Sequence, residues 1–336
     1  MKRFRRVASV VTMTAVMAAA GLAAMPTAQA GLPEAEPPAA YAITSADLLV
    51  SCALATVDLT DGTTTVLPAG GSAGACVEDL AVAPDGSVWG IREVGEDAPS
   101  VVLVQFDPAT GAVVSSETIT GSFPEAGLED GGLAFDAAGT LYVQIVTDEA
   151  GCDNQFVCLY TVDLTTTAAT FVGAAGPDKF ETEMFFLGAD CAGSMVTSEG
   201  DDIDDRLVLN AVLDAVDPAT GVVTDGPEFP DDFALAGLDY SRADSTLYAL
   251  GTTLTPAGAG GDTETSAGEW GDGDDVSAAV TNASLYVVDP ATAGLTLVAA
   301  LSEPNLDIST LGIAGQCPVP PTPAPAPIVL EPTFTG

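Results

Sequence analysis

The sequence predicts an all-β fold, a β-propeller of five four-stranded blades, and three observations support this. A short loop is spelled almost identically three times, as "VQFDPATGAV" at 104–113, "VDPATG" at 216–221 and "VDPATAG" at 288–294. A second strand-like segment recurs between these loops. The repeat array is incomplete at its two ends in a complementary way. Four-stranded units repeated about every 40–50 residues are typical of propellers.

The Asp-Pro-Ala-Thr-Gly spelling is suited to a tight turn. Asp can accept a hydrogen bond from its own downstream backbone, Pro presets φ, and Gly supplies the positive φ that closes the turn. β-prone runs flank each copy, so each copy predicts a β-hairpin. Two weaker copies, "ATVDLTDGTTTVL" and "LYTVDLTTTAATFV", complete the set. The five turn aspartates are Asp58, Asp107, Asp163, Asp217 and Asp289.

The second repeated segment predicts a strand, a turn and another strand. Its copies, "LAVAPDGSVWGI", "LAFDAAGTLYVQI", "LGADCAGSMVTS" and "LDYSRADSTLYAL", start at Leu80, Leu133, Leu187 and Leu238. A longer interval follows the last copy and contains a Gly- and Asp-rich insertion, 255–282. The helical period of a solenoid is not found.

The chain ends predict how the ring closes. "AYAIT", "CALATVDL" and "TTTVLP" supply the last three strands of a blade, and "LGIAG" at Leu311 supplies a first strand. One composite blade would remove the last open sheet edge. The predicted organisation is a signal peptide at 1–30, a linker at 31–40, the propeller at 41–317 and a proline-rich tail at 318–336.

The first thirty residues have the features of an export signal. A basic start at 2–6 precedes an apolar stretch at 7–25, and Ala28-Gln29-Ala30 forms a cleavage pattern. An uncleaved membrane anchor is the alternative. No later stretch approaches the roughly 20 apolar residues of a membrane helix. We therefore expect a secreted or extracytoplasmic protein that does not insert into a membrane after cleavage.

The charge balance restricts the partners. The chain has 48 Asp and Glu residues, 8 Lys and Arg residues and no His, which gives a formal net charge of −40. Such a surface repels nucleic acids and favours a cation or a basic protein, although it can also serve only to keep the protein soluble. The missing histidine excludes Ser-His-Asp and Cys-His nucleophiles and His-ligated zinc.

The pairing of "GTLYV" or "STLYAL" with "LYVVDPATAG" resembles secreted bacterial β-propellers with LYxVDPATG repeats, within the broad NHL/lactonase-like assemblage. The resemblance covers 41–315 and implies the fold, but propellers host enzymes, sugar binders and scaffolds alike. It matches no catalytic motif. It implies that the inter-blade loops and the loops between second and third strands share one face, where propeller sites usually lie.

Acidic loops are the candidate metal sites. Every inter-blade loop is acidic, and a ring of carboxylates at a channel mouth would attract calcium. The channel-mouth candidates are Glu129, Glu183, Asp232 and Asp307. The acidic runs "EGDDIDD" and "EWGDGDD" add the loop candidates Asp201, Asp204, Asp272 and Asp274. Solvated loops without a ligand, or paired carboxylates acting on a glycosidic bond, are the alternatives.

Six cysteines in an exported chain predict disulfides, and composition alone leaves 15 pairings open. Two of the cysteines bracket one short loop, "CDNQFVC", and are expected to pair. The loop faces that the resemblance implies assign the other four, with one bond tying down the closing strand. The predicted pairs are Cys52–Cys76, Cys152–Cys158 and Cys191–Cys317.

The functional expectation is a monomeric, non-enzymatic binding propeller that interacts through its acidic loops with a cation, a basic protein or a glycan. The alternative is a carboxylate-dependent hydrolase of a glycan or lactone, supported by calcium. Sugar hydrolysis is disfavoured because aromatic platforms are scarce. Trp89 is predicted to lie in the inter-blade core, and Trp270 in the insertion is a candidate contact residue.

Overall fold

In the part of the chain that the structure describes, β-strands make up the regular secondary structure apart from one 3-10 turn at Ala73–Ala75. A computed structural model describes residues 40–45, 51–95, 100–121, 130–146, 157–176, 183–202, 207–253, 283–302 and 307–317. Within these ranges there is no helix of the length and apolar character that a membrane crossing requires. The all-β prediction is confirmed.

The strands fall into four hydrogen-bonded sheets, which we describe as five groups called blades 1 to 5, because blades 4 and 5 are joined, among the described residues, only by the single pair Val208 and Leu235. Blade 1 contains β1 (Ala40–Ser45), β2 (Cys52–Val57), β3 (Thr64–Val66) and β21 (Asp307–Ile313). Blade 2 contains β4 (Asp79–Val82), β5 (Val88–Val94), β6 (Ser100–Phe106) and β7 (Val113–Thr118). Blade 3 contains β9 (Asp130–Phe135), β10 (Leu141–Val146), β11 (Val157–Asp163) and β12 (Ala168–Ala174), beside which β8 (Thr120–Gly121) pairs in parallel. Blade 4 contains β13 (Glu183–Ala189), β14 (Met195–Asp202), β15 (Val208–Val216) and β16 (Val223–Thr224). Blade 5 contains β17 (Phe233–Ser241), β18 (Thr246–Thr253), β19 (Ser284–Asp289) and β20 (Gly294–Ala300).

The ring closes through blade 1, as the sequence predicts. β21 pairs antiparallel with β1, so that Ala40 lies opposite Ile313. The inner strands β21, β4, β9, β13 and β17 each contact the next, and β17 contacts β21 again. Their approach is close, because a Cβ placed on Gly237 of β17 would lie 2.8 Å from the backbone carbon of Thr310 on β21.

Five apolar clusters hold the blades together, one at each seam between neighbours. Each cluster combines side chains from facing sheets; Tyr41 and Leu54 of blade 1, for example, pack with Leu80 and Val104 of blade 2. Trp89 belongs to the cluster between blades 2 and 3, as predicted. Five seams among five blades make the ring continuous, because each sheet buries both of its faces against a neighbour.

The repeated Asp-Pro-Ala-Thr-Gly turn also links blades. The Thr110 carbonyl in blade 2 accepts a hydrogen bond at 2.7 Å from the Ala69 N–H, which follows the outer strand of blade 1. In blade 4, a Cβ on Gly221 would lie 2.7 Å from the backbone of Gly173 in blade 3. Because the turn packs against the preceding blade, its amino-acid sequence must suit this contact as well as the hairpin itself.

All five turns have the predicted aspartate geometry. Each carboxylate accepts a hydrogen bond of 2.7–3.0 Å from the N–H two residues later; the five aspartates are Asp58, Asp107, Asp163, Asp217 and Asp289. The expectation that glycine supplies the positive φ holds for three turns and fails at Asp289, where Ala293 (φ 50°) takes that role. In the copy at Asp163, which has no glycine, the residue with positive φ is Thr167 (φ 53°). The docking contacts hold these two residues in the left-handed region. The Thr167 carbonyl accepts a hydrogen bond from the Thr120 N–H, and Ala293 is buried in the seam with blade 4.

Two predicted disulfides are confirmed. Cys52 is bonded to Cys76, and Cys191 is bonded to Cys317, which fastens the segment after β21 to the turn after β13. Cys158 is disulfide-bonded, and Cys152 lies outside the described residues. Disulfides persist in oxidising compartments, in agreement with an extracytoplasmic protein.

Candidate metal centre between blades 3 and 4

The seam between blades 3 and 4 includes polar side chains inside the fold. Thr197 on β14 donates a buried hydrogen bond of 2.6 Å to Gln144 Oε1 on β10. Thr197 lies opposite Asp214 on β15, and neither side chain is exposed. Glu199, two residues after Thr197, lies on the same face of the sheet because side chains alternate along a strand.

Three carboxylates converge at this seam. Oxygens of Glu199, Asp214 and Asp225 all lie within 4.8 Å of one another. β16 pairs with the end of β15 and thereby brings Asp225, the residue after it, alongside Asp214. Asp214 is fully buried, Glu199 is half-buried and Asp225 is exposed. The cluster therefore extends from the interior to the solvent.

This geometry fits a hard cation. Calcium binds oxygens at about 2.3–2.6 Å, so that two ligands on opposite sides of the ion lie about 5 Å apart. An all-oxygen donor set selects calcium, magnesium or manganese over zinc. The Gly226 N–H donates to Asp214 Oδ1 at 2.9 Å and orients this carboxylate, as expected of a ligand that is held in place.

The sequence-predicted metal ligands remain predictions. Glu183 and Asp307 begin inner strands and Asp201 lies near the end of β14, but their side chains lie outside the described part. Asp232 is exposed just before β17. Glu129, Asp204, Asp272 and Asp274 fall in ranges that the structure does not describe.

Sequence reasoning did not identify the three seam carboxylates. One signal was present in "LNAVLDAV", because Asp214 occupies an inward position of an otherwise apolar strand. The acidic run "EGDDIDD" suggests a loop, whereas its first residue, Glu199, lies in β14. Asp225 offers no signal, since its place depends on how β16 pairs with β15.

A second pair of buried carboxylates lies on the axis of the ring. Asp79 on β4 accepts hydrogen bonds from the N–H groups of Leu80, Leu133 and Leu187, at 2.8, 2.8 and 3.2 Å. The last bond joins blade 2 to blade 4, which are not neighbours, and therefore runs through the centre of the ring. Both oxygens of Asp79 already accept N–H donors, which compete with any metal ion for their lone pairs.

Asp239 on β17 has the same role for the other two blades. Its carboxylate accepts hydrogen bonds of 2.7 Å from the N–H groups of Tyr240 and Ile313. Burial raises the pKa of Asp239 to about 7, although these donors and Arg242 lower it. Burial also raises the pKa of Asp79 well above its ordinary value, against the effect of its three N–H donors.

Arg242 crosses the axis just beyond Asp239. Its Nη2 donates at 2.7 Å to the Phe135 carbonyl of blade 3, and the side chain is 4% exposed. The adjacent turn carries Asp244, which accepts a hydrogen bond from the Thr246 N–H. The Cys191–Cys317 bond lies at the same end, since the Cys191 Sγ lies 3.2 Å from the Arg242 carbonyl oxygen. Arg242 and the closing disulfide therefore lie at the same end of the ring.

The sequence matches no protein-family model and no curated protein. Among solved structures it is similar to a calcium-binding protein, regucalcin, from Agrobacterium tumefaciens, with 12% identity, a TM-score of 0.38, and 82% of this chain and 78% of that chain covered. It is similar to a luciferin-regenerating enzyme, with 12% identity, a TM-score of 0.35, and coverage of 66% and 72%. The Dos1 propeller is similar at 12% identity, a TM-score of 0.34, and coverage of 78% and 68%. At this level of similarity, the activities of these proteins say nothing about this chain.

Proposed function

We propose that the protein is an exported binding propeller that takes up one divalent cation, calcium before magnesium, in the seam between blades 3 and 4. The observation that carries this proposal is the convergence of Glu199, Asp214 and Asp225 within 4.8 Å. The closed ring and the Cys191–Cys317 bond support it, because all three ligands belong to blade 4 and this bond fastens the turn after β13 of that blade. The net charge of −40 raises the local concentration of cations.

The cation would have a structural consequence as well as a charge effect. Its ligands come from β14, from β15 and from the segment after β16, and the seam they line also contains Gln144 of blade 3. A bound ion would neutralise part of the charge of three close carboxylates. We therefore expect calcium to stabilise the fold against heat, since a ligand that binds only the native state raises Tm.

Titration calorimetry of the exported protein tests this proposal. We expect one calcium site, with weaker binding of magnesium, and a loss of at least about tenfold in affinity in Asp214→Asn. Glu117→Gln, which removes an exposed carboxylate on β7, is the matched control and should bind as the parent does. Heat signals that are equal in the two variants would show that calcium does not bind at this seam.

The alternative, hydrolysis of a lactone or glycan, draws support from the accessibility of the same cluster. Asp225 is exposed and Glu199 is half-buried, so a substrate oxygen could reach an ion held there. A hard cation can polarise a carbonyl oxygen, and a carboxylate of the cluster can serve as the general base in this chain without histidine. Turnover of a lactone or oligosaccharide panel that calcium restores after chelation, and that Asp225→Asn abolishes, would establish the enzyme. Calcium binding without turnover would leave the binding function.

The remaining expectations belong to the same proposal. The acidic surface would engage a basic protein or a glycan, the protein would act as a monomer, and nucleic acid would not be a partner. The signal peptide would deliver the chain to the oxidising side of the membrane, where its cysteines pair.

A further inference from the structure

The two axial carboxylates together contact the inner strands of all five blades. Asp79, itself on β4 of blade 2, reaches N–H groups on β9 of blade 3 and β13 of blade 4. Asp239, itself on β17 of blade 5, reaches an N–H group on β21 of blade 1. The inner edge of each inner strand has no neighbouring strand to pair with, so its N–H groups need acceptors inside the channel.

Among the described side chains near the axis, the negative charges of two carboxylates are opposed by the positive charge of one arginine. Asp79 and Asp239 are close enough to repel one another, and the cation Arg242 attracts Asp239. Arg242 is itself shared, because Asp136 at the turn after β9 also attracts it. Tyr240, the other titratable side chain described on the inner strands, stays neutral, since burial raises its pKa to about 12. Two buried carboxylates with one shared cation favour uptake of a proton.

We propose that Asp79 and Asp239 form a proton-controlled clamp, in which the closed ring takes up a proton at the axis and is held more tightly in mild acid than at alkaline pH. A protonated carboxyl still accepts N–H donors, through its carbonyl oxygen and through the remaining lone pair of its hydroxyl oxygen, while the repulsion between the two groups disappears. The clamp acts on ring closure itself, because β21 is one of the strands it holds. It does not depend on cation binding at the seam between blades 3 and 4.

The sign of the pH effect follows from the pKa of Asp239. This pKa is about 7 in the folded protein against an ordinary value of 3.8. Across that window the folded state holds more protons than the unfolded chain, so stability falls as pH rises. The pKa of Asp79 shifts in the same direction. Exposed carboxylates lose their protons mostly below about pH 5, so they contribute little to a change in stability above that pH.

Scanning calorimetry between about pH 5 and about pH 8, in roughly 1 M salt to screen surface charges, tests the clamp. We expect the Tm of the parent protein to fall by about 5–10 °C over this range. Asp239→Asn should make that fall clearly smaller, because Asp79 is then the remaining axial carboxylate, and Glu117→Gln should keep it. A Tm that is flat or rising with pH, or equal slopes in the two variants, would overturn the proposal.

A measurement on the unaltered protein covers the case in which Asp239→Asn does not fold. Carbon-13 NMR of aspartate carboxyl groups should show at least one that titrates with a pKa of about 7. If every carboxyl carbon titrates below about pH 5, the axial groups are ordinary carboxylates and the clamp does not exist.

Discussion

Gly221 closes the turn of blade 4 with a φ of 74° and lies against Gly173 of blade 3. Two separate constraints act on it, the left-handed backbone and the contact across the seam. Gly193, in the turn after β13, has a φ of 89°, but a Cβ added to it would meet nothing within 4 Å. A comparison of alanine variants at Gly221 and Gly193 therefore separates the free energy of the strained backbone from the free energy of the contact between blades.

We expect Gly221→Ala to lower the free energy of unfolding by about 2–4 kcal/mol, because it adds a clash to the backbone strain. Gly193→Ala should lower it by about 1 kcal/mol, from strain alone. Urea denaturation measures both values. Equal losses would mean that the turn of blade 4 is not tightly docked on blade 3.

At the scale of elements, β21 carries the closure of the ring. It is the inner strand of blade 1, and Leu311 and Ile313 belong to the seam between blades 5 and 1. Between these two apolar residues of β21 stands Gly312, which lies close to β4 of blade 2. One strand thus supports two seams, and a defect in it should weaken the whole ring.

We expect Leu311→Ala to destabilise the protein by about 2–5 kcal/mol, as is usual for a cavity at a fully buried leucine. Val114→Ala on β7, whose side chain is 62% exposed, is the control and should change stability by less than about 0.5 kcal/mol. Thermal and urea unfolding followed by circular dichroism would give both numbers. A small loss in Leu311→Ala would show that closure does not depend on the packing of β21.

At the scale of the molecule, the two described disulfides restrict the unfolded chain to different extents. Cys191 and Cys317 are separated by 126 residues, and Cys52 and Cys76 by 24. Loop-closure entropy grows with the logarithm of this separation. The bond that fastens the closing segment should therefore contribute more.

Replacing Cys191 and Cys317 together by alanine should cost about 1.5 kcal/mol more than replacing Cys52 and Cys76 together. Urea unfolding of the two double variants measures the difference. If the short-range pair proves the more costly, native packing around Cys52, which is fully buried, outweighs the loop entropy.

The features that repeat along the chain could be predicted from the sequence, and those that depend on contacts between blades could not. The repeated sequence motif and its spacing along the chain predict the turn aspartates, the composite blade and the place of Trp89 in the core. Asp79, Asp214 and Asp239 were not singled out as buried acceptors, because an isolated acid in an apolar strand does not reveal its partners. Apart from the N–H groups of the adjacent residues, their hydrogen-bond donors come from segments 12 to 108 residues away, and only the folded ring brings these together.

Because Ala40 lies opposite Ile313, the first and last strands of the ring run side by side and their outer ends meet. A few residues of linker could span that gap, so the chain could be joined there and opened between any other two blades. Such a circular permutant would keep every seam and both axial carboxylates. The order in which the five blades follow one another along the chain therefore does not determine the architecture. What determines it is the closed ring of seams between neighbouring blades.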